Sequence, residues 1–435
     1  MDASIYVARR ARLVARMKSG VAVIPTAPER TRNRDAHYPY RYDSYFYYLT
    51  GFTEPGAVLV VVAGEAPRSV LFCRQKDEER EIWDGFRYGP DAARDIFSFD
   101  EAHPIDRLDA LMPDVLSDEA AVHCHLGVDT EWDARVVRWL NEVRARARSG
   151  VVAPPTISDV HVLLDEMRLF KDAAEIAVMR RAGEISCAAH RRAMHAARPG
   201  VGEYAIEAEL LHEFRRNGAQ APAYTSIVAA GVHACVLHYV ENNGVLRDGD
   251  LLLIDAGCEL DGYAADITRT FPVNGQFSGP QREVYELVLA AQSAAIEEVK
   301  PGSPWIAPHD AAVKVLAQGF IDLKLLPGSV DEVLETESYR KFYMHRTGHW
   351  LGLDVHDAGD YKVDGKWREL APGMVLTVEP GCYIRPAPDV PPQFAGIGIR
   401  IEDDALVTDR GCEILTAAAP KRIADIEALM RPGND

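Results

Sequence analysis

The stretch LLLIDAGCELDGYAADITRT, residues 251–270, decides how this chain is read. Four apolar residues, 251–254, run directly into Asp255. An unpaired charge delivered into a buried strand is costly, so Asp255 requires a cation or a strong donor. Gly257 and Gly262 punctuate a turn, and residues 263–271 return, which brings Asp266 beside Asp255 if the two strands pair antiparallel. Two acids would then share one site. For one such pair alone, a strand-end cap and a solvated face is the plainer account, because single short motifs mislead often.

The chain repeats the device. Gly249, Asp255 and Gly257 stand at the same spacings as Gly373, Glu379 and Gly381 in GMVLTVEPG, with an apolar run between in both cases. GIGIRIE, residues 396–402, supplies a second return strand ending at Glu402. The flanking order recurs as well. Asp172 with Glu175 makes a capping box that opens a helix with Val178, Ala182, Ile185 and Ala189 on one face, stopped at Arg198-Pro199-Gly200. A second helix, with Ile206, Leu210, Leu211 and Phe214, leads to the first carboxylate pair. A helix with Val284, Leu287, Val288 and Ala291, stopped at Lys300-Pro301-Gly302, and another over residues 311–320 lead to the second. This is an internal duplication, and two like halves facing each other would place their carboxylates at the shared seam.

With 435 residues, 47% of them apolar, the chain is long enough for two domains with large cores. Its 48 basic and 66 acidic residues leave a net charge of -18, which argues against nucleic acid as the main partner. No run of about eighteen apolar residues predicts a membrane span, and the first twenty residues, MDASIYVARRARLVARMKSG, lack the apolar core of a signal peptide. Seven scattered cysteines, never in CxxC spacing, fit a reduced cytoplasm and read as small buried hydrophobes.

Ahead of the duplicated region, an amphipathic helix, an apolar run from Val21 to Pro25, and strands over residues 47–52, 57–63 and 69–73 describe an α/β domain. The pair Pro154-Pro155 suggests where it gives way, and the expected division is residues 1–170 and 171–435. The first part shows no metal-like cluster or phosphate loop. Trp83 stands out there as a large aromatic among charges.

Between the carboxylate pairs lies HRTGHWLGLDVHD, with His345, His349 and His356. Lone histidines are usually satisfied core or surface residues, but three within twelve positions call for a site. Asp255, Asp266, Glu379, Glu402 and one histidine form a hard, oxygen-rich donor set suited to Mn²⁺, Mg²⁺ or Co²⁺. Four carboxylates in one cavity stay ionised only against comparable positive charge, which two divalent ions supply. Such a centre activates water and polarises a carbonyl, so hydrolysis follows. Arg400, two residues before Glu402, would lie on the same strand face and orient the carboxylates; its plainer account is a surface ion pair.

These residues resemble the metal-dependent aminopeptidase P and prolidase group, with the pita-bread fold. The resemblance rests on LHYVEN at 237–242, DGDLLLIDAGCELDGYAADITRTFPVNG at 248–275, HWLGLDVHD at 349–357, MVLTVEPGCYI at 374–384 and GIGIRIEDD at 396–404. The segment YPYRYDSYFYYLTGFTEP at 38–55 extends it through the N-terminal domain. It implies an N-terminal α/β domain with a mixed sheet, serving substrate access and oligomerisation, and a C-terminal pita-bread catalytic domain with pseudo-twofold duplication. It implies two metal ions, manganese, with Asp255 on one, His349 and Glu379 on the other, and Asp266 and Glu402 bridging. Glu379 is also implied as the proton shuttle, His356 as the group that holds the scissile carbonyl oxygen, and His238 and His345 as the lining of a proline pocket. Tyr383, Arg400 and Asp35 would form a polar network at the site mouth, and Trp83 would reach a neighbouring subunit of a homodimer or homotetramer. The departure is Lys366, where the family pattern leads us to expect arginine.

The implied activity is removal of an N-terminal residue preceding proline, through a hydroxide bridging the ions, on peptides with proline at the second position. The rival is prolidase, which prefers dipeptides and has relatives that hydrolyse organophosphates; the 38–55 segment favours the first. A non-catalytic binding module and metal-free, creatinase-like hydrolysis are disfavoured by the five intact ligands, since an acidic cluster without that use is costly.

Overall fold

The computed structural model describes residues 1–431, which divide into two compact units, one over Met1–Arg168 and one from Leu169 onward. The first unit is built on a six-stranded mixed sheet in the order Glu101–Pro104, Arg68–Cys73, Val58–Ala63, Gly20–Pro25, Ala121–His123, Thr156–Ser158. The three central strands pair antiparallel and the outer ones parallel. Near-continuous apolar runs such as VLVVVA are what a sheet covered on both faces requires. Helix Thr130–Ala145 covers one face with Val136, Trp139, Leu140 and Val143. The break at Pro154-Pro155 does not end this unit, because the chain runs on into its edge strand Thr156–Ser158.

Residues 47–52 are not a strand. Ser44–Thr50 is a helix whose N-terminus is capped by the Asp43 carboxylate on the Phe46 N–H at 2.8 Å and whose C-terminus ends on left-handed Gly51. The orphan carbonyls of its last turn accept from buried arginines, Tyr48 from Arg9 at 3.2 Å and Leu49 from Arg10 at 3.0 Å. Aromatic residues favour strands only weakly, and these termini with their partners override that preference.

The second unit shows the duplication as architecture. Helices Ala173–Ala196 and Glu203–Arg216 pack together in one half, and Gly279–Glu297 and Ala307–Asp322 in the other. The capping box at Asp172 and Glu175 is formed. Strand Leu251–Asp255 lies between Ile227–Ala230 and Thr268–Pro272, all antiparallel. Its counterpart Val375–Val378 pairs with Asp403–Thr408, and Gly381–Tyr383 pairs with Gly398–Arg400. Gly249 and Gly373, the first residues of the repeated spacing, both take positive φ, 84° and 91°. One apolar core runs through both halves, from Ile185, Leu210 and Leu252 to Val288, Leu316 and Leu376.

Candidate metal centre

Each half delivers one carboxylate by the same route. A strand fully buried along its apolar run stops at Asp255 in one half and immediately before Glu379 in the other. The second carboxylates do not lie on the partner strands, as the alternation suggested. Asp255 is in register with Thr268 and Val378 with Asp403, so Asp266 and Glu402 sit just ahead of those strands. The chain is pinched there: a Cβ on Gly257 would come within 1.7 Å of the Ala265 carbonyl oxygen. The Asp266 N–H leaves the ladder and donates to the Asp404 side chain at 3.1 Å.

Asp255, Asp266, His349, Glu379 and Glu402 converge. Ligand atoms of Asp266, His349 and Glu402 all lie within 4.8 Å of one another. His349 Nε2 is 3.5 Å from Asp266 and 3.7 Å from Glu379. Its Nδ1–H donates to the Trp350 carbonyl at 3.0 Å, which leaves Nε2 to face the acids. Asp255 accepts from Arg400 at 2.6 Å, and Arg400 also donates to the Thr268 and Tyr383 hydroxyls at 3.1 Å each. Thr268 donates to Glu402 at 2.6 Å.

The donor set fits divalent cations. Four carboxylates, Asp266 and Glu402 buried and Asp255 and Glu379 partly so, face one guanidinium and one imidazole, and the imbalance shows in their acidities. Burial, with Asp266, Glu379 and Asp255 adding to it, pushes Glu402 well above the carboxylate range. Burial raises Asp255 despite Arg400, and raises Glu379 to about 7 despite His349 and Arg400. Only Asp266 falls, because its bond and charge partner His349 outweigh burial. His349 in turn rises to about 9, burial being outweighed by Asp266 and Glu379. Positive charge at the centre of the cluster would reverse these upward shifts.

Two family models match the chain: metallopeptidase family M24 over residues 177–409, and the aminopeptidase P N-terminal domain over residues 6–123. The chain belongs to metallopeptidase family M24. It is 47% identical to the Xaa-Pro aminopeptidase of Escherichia coli strain K12 over 97% of this chain and 96% of that one. The structure of the Pseudomonas aeruginosa aminopeptidase PepP matches with a TM-score of 0.97 and 51% identity, covering 99% of this chain and 98% of that one. A zinc-substituted Escherichia coli aminopeptidase P in complex with product matches with a TM-score of 0.97 and 46% identity, covering 99% and 98%. The pita-bread architecture that the family resemblance implied is that of the M24 domain.

Around the M24 centre the structure gathers further histidines. His356 packs edge-on against His349, ring centroids 4.4 Å apart. His345 accepts from the Tyr383 hydroxyl at 2.8 Å through Nε2, donates to the Arg346 carbonyl at 2.7 Å through Nδ1, and lies 3.7 Å from Glu379. Burial, then Arg400, depress His345 to about 3, and His238 contributes to that shift and to the lowering of His356. Asp35 and Trp83 belong to the first unit. Asp35 lies in the exposed turn between Thr31–Asn33 and Ala36–His37, and Trp83 on helix Glu78–Asp84. Lys366 lies in the strand Lys366–Trp367, paired with Lys362–Val363.

Sequence reasoning missed Tyr224. Its hydroxyl lies 2.6 Å from Asp255 and 2.6 Å from Asp266, and burial with those two charges holds the phenol well above its ordinary pKa, so it stays a donor. Nothing in PAYTSI marks it: it lies outside every apolar period and is brought in by the turn between Ala221–Pro222 and Ile227–Ala230.

Proposed function

We propose that this M24 chain is a metal-dependent aminopeptidase that hydrolyses the bond between an N-terminal residue and a following proline, and that Asp255, Asp266, His349, Glu379 and Glu402 hold two divalent ions, manganese in the native enzyme. The observation that carries the reading is the convergence of those five side chains beside His345 and His356 in a chain collinear with curated Xaa-Pro aminopeptidases. Divalent ions supply charge to polarise a carbonyl and to acidify water. The protein's part is proton handling and orientation. Glu379, within 3.7 Å of both His345 and His349, takes the proton of the attacking water and passes it to the leaving proline nitrogen. His356 donates to the scissile carbonyl oxygen as charge develops, and His238 and His345 line the proline slot. Arg400 and Tyr383 fix Asp255 and His345. The match to the zinc-substituted Escherichia coli relative supports a site that accepts more than one divalent metal.

The test is initial rates on Ala-Pro, Ala-Pro-Ala, Ala-Pro-Ala-Ala and acetylated Ala-Pro-Ala with manganese present. Tripeptides and longer peptides should exceed the dipeptide in kcat/KM at least about tenfold, about 1.4 kcal/mol in transition-state binding. Equal or better rates on the dipeptide would make the chain a prolidase. Elemental analysis of the manganese-loaded protein finding fewer than one metal per chain would remove the two-ion arrangement.

Helix Glu78–Asp84 buries none of its residues, and Ile82, Trp83 and Phe86 are 80%, 81% and 65% exposed. Such a patch supports self-association, as a homodimer or homotetramer with Trp83 reaching the neighbouring subunit's site. Trp83→Ala should lower the mass seen by light scattering or raise KM; both unchanged would count against the interface. No helix among the described residues is long and apolar enough to cross a membrane. All seven cysteines are free, which supports placement in the reducing cytoplasm.

A further inference from the structure

Away from the metal centre, the second unit buries a carboxylate that holds a loop. Glu203 opens helix Glu203–Arg216, is fully buried, and faces residues 230–244, the segment that carries His238. Four donors from that segment converge on it. The Ala230 N–H and His233 Nδ1 donate to Oε1 at 2.8 and 3.0 Å, and the Gly244 N–H and Tyr239 hydroxyl to Oε2 at 2.7 and 2.8 Å. The Glu203 N–H returns a bond to the Gly244 carbonyl at 2.9 Å. The donors come from the start, the middle and the end of the segment, so one carboxylate fixes its whole course.

Three observations show a built clamp. A Cβ on Gly244 would stand 2.9 Å from the Glu203 carboxyl group, so glycine is what lets the loop close on it. The His233 ring stacks on Tyr239 at 4.5 Å and 26°, which orients both side-chain donors. Buried Asn242, in a left-handed conformation at φ 46°, accepts from the Val228 N–H at 2.9 Å and donates to the Ser226 carbonyl at 2.8 Å, tying the far end of the loop to the neighbouring strand. Between the anchors, Val236 and His238 remain exposed while Ala234, Cys235 and Tyr239 are buried. Burial alone would raise Glu203, but His233, Ala230, Gly244 and Tyr239 together hold it below the ordinary carboxylate range, so it is charged and each bond is charge-assisted.

We propose that Glu203 is a positioning residue for substrate binding, its buried carboxylate holding residues 230–244 in the shape that presents His238 to the peptide. This rests on the reading of His238 as a substrate-binding residue. The experiment is a double-mutant cycle on the manganese-loaded full chain, with Glu203→Gln, His238→Ala and both, assayed on Ala-Pro-Ala with metal content and melting temperature recorded. An amide of the same shape keeps one acceptor and turns a donor toward two of the four donors, so the loop loses its anchor while packing is retained. Glu203→Gln should raise KM about tenfold with kcat within about threefold and metal content unchanged; in the His238→Ala background it should add less than about twofold. Gly244→Ala, which presses on the carboxylate from the loop side, should repeat the pattern and serves if Glu203→Gln fails to fold. A KM effect that persists undiminished without His238, or no KM effect where His238→Ala shows one, overturns the positioning role. If His238→Ala itself leaves KM unchanged, the reading of His238 falls and the positioning role with it.

Discussion

Tyr224→Phe isolates what the protein contributes to metal affinity, because it removes one hydroxyl and no ligand. That hydroxyl lies 2.6 Å from both Asp255 and Asp266, one from each end of the first carboxylate pair. A hydrogen bond to a charged group contributes about 1.5–3 kcal/mol, and groups that orient ligands typically change metal affinity about 10–100-fold. Loss of the donor also leaves Asp255 and Asp266 holding protons more tightly, and protons compete with metal. The dissociation constant for Mn²⁺ should therefore rise about 10–100-fold at neutral pH, more at pH 6 than at pH 8. The assay is competition of metal-free protein against a fluorescent chelator at both pH values, with kcat measured at saturating manganese. Because Tyr224 takes no part in the proton path from Glu379, kcat at full occupancy should stay within a few-fold of the parent. An affinity within about twofold of the parent at both pH values would refute the reasoning.

Glu379→Gln should stabilise the metal-free protein at pH 8 and leave it nearly unchanged at pH 5. Burial raises Glu379 to about 7 in the folded state from an ordinary 4.5, so the folded protein holds the extra proton between those values and loses stability as pH rises through about 7. Melting temperatures of both proteins in chelator at the two pH values check this, and an equal difference at both would contradict it. Lys171 and Asp357 form an ion pair with both side chains 1% exposed, the residue next to His356 being one partner. Lys171→Met takes the ammonium away from the buried Asp357 carboxylate and should cost about 3–5 kcal/mol in urea unfolding. A loss under about 1 kcal/mol in the single variant would show the pair to be dispensable.

The parts of this fold that were legible in the sequence are those where one residue type has one physical reason to stand at one place. An apolar run ending in Asp255 or Glu379, flanked by glycines at repeated spacing, announces a buried strand carrying a charge, and both halves follow it. Asp172 and Glu175 likewise form the cap that their spacing announces. What could not be read depends on partners remote in the chain. The aromatic run at residues 44–50 is a helix because Arg9 and Arg10 satisfy its last carbonyls from about forty residues away. Asp266 leaves its ladder because Asp404, 138 residues later, takes its N–H. Tyr224 and Glu203 carry no motif at all; each is defined by the acceptors or donors that folding gathers around it.

Remote bonds also hold the two halves together beside the acidic cluster. The Glu402 N–H donates to the Thr268 carbonyl at 3.1 Å, and Thr270 Oγ1 both accepts from the Arg400 N–H at 3.2 Å and donates to the Arg400 carbonyl at 3.0 Å. Arg269, fully buried, donates to the Glu402 carbonyl and pairs with Asp403 at 2.7 Å. Three consecutive residues of the first half thus hold the ligand-bearing segment of the second half by backbone and side chain together. The halves meet through bonds placed beside the ligands, so mutual repulsion among the carboxylates is resisted by the scaffold and by Arg400, Tyr224 and Thr268. Side chains held this way would need little further ordering to bind a cation, whose charge would then be available to polarise water and a carbonyl.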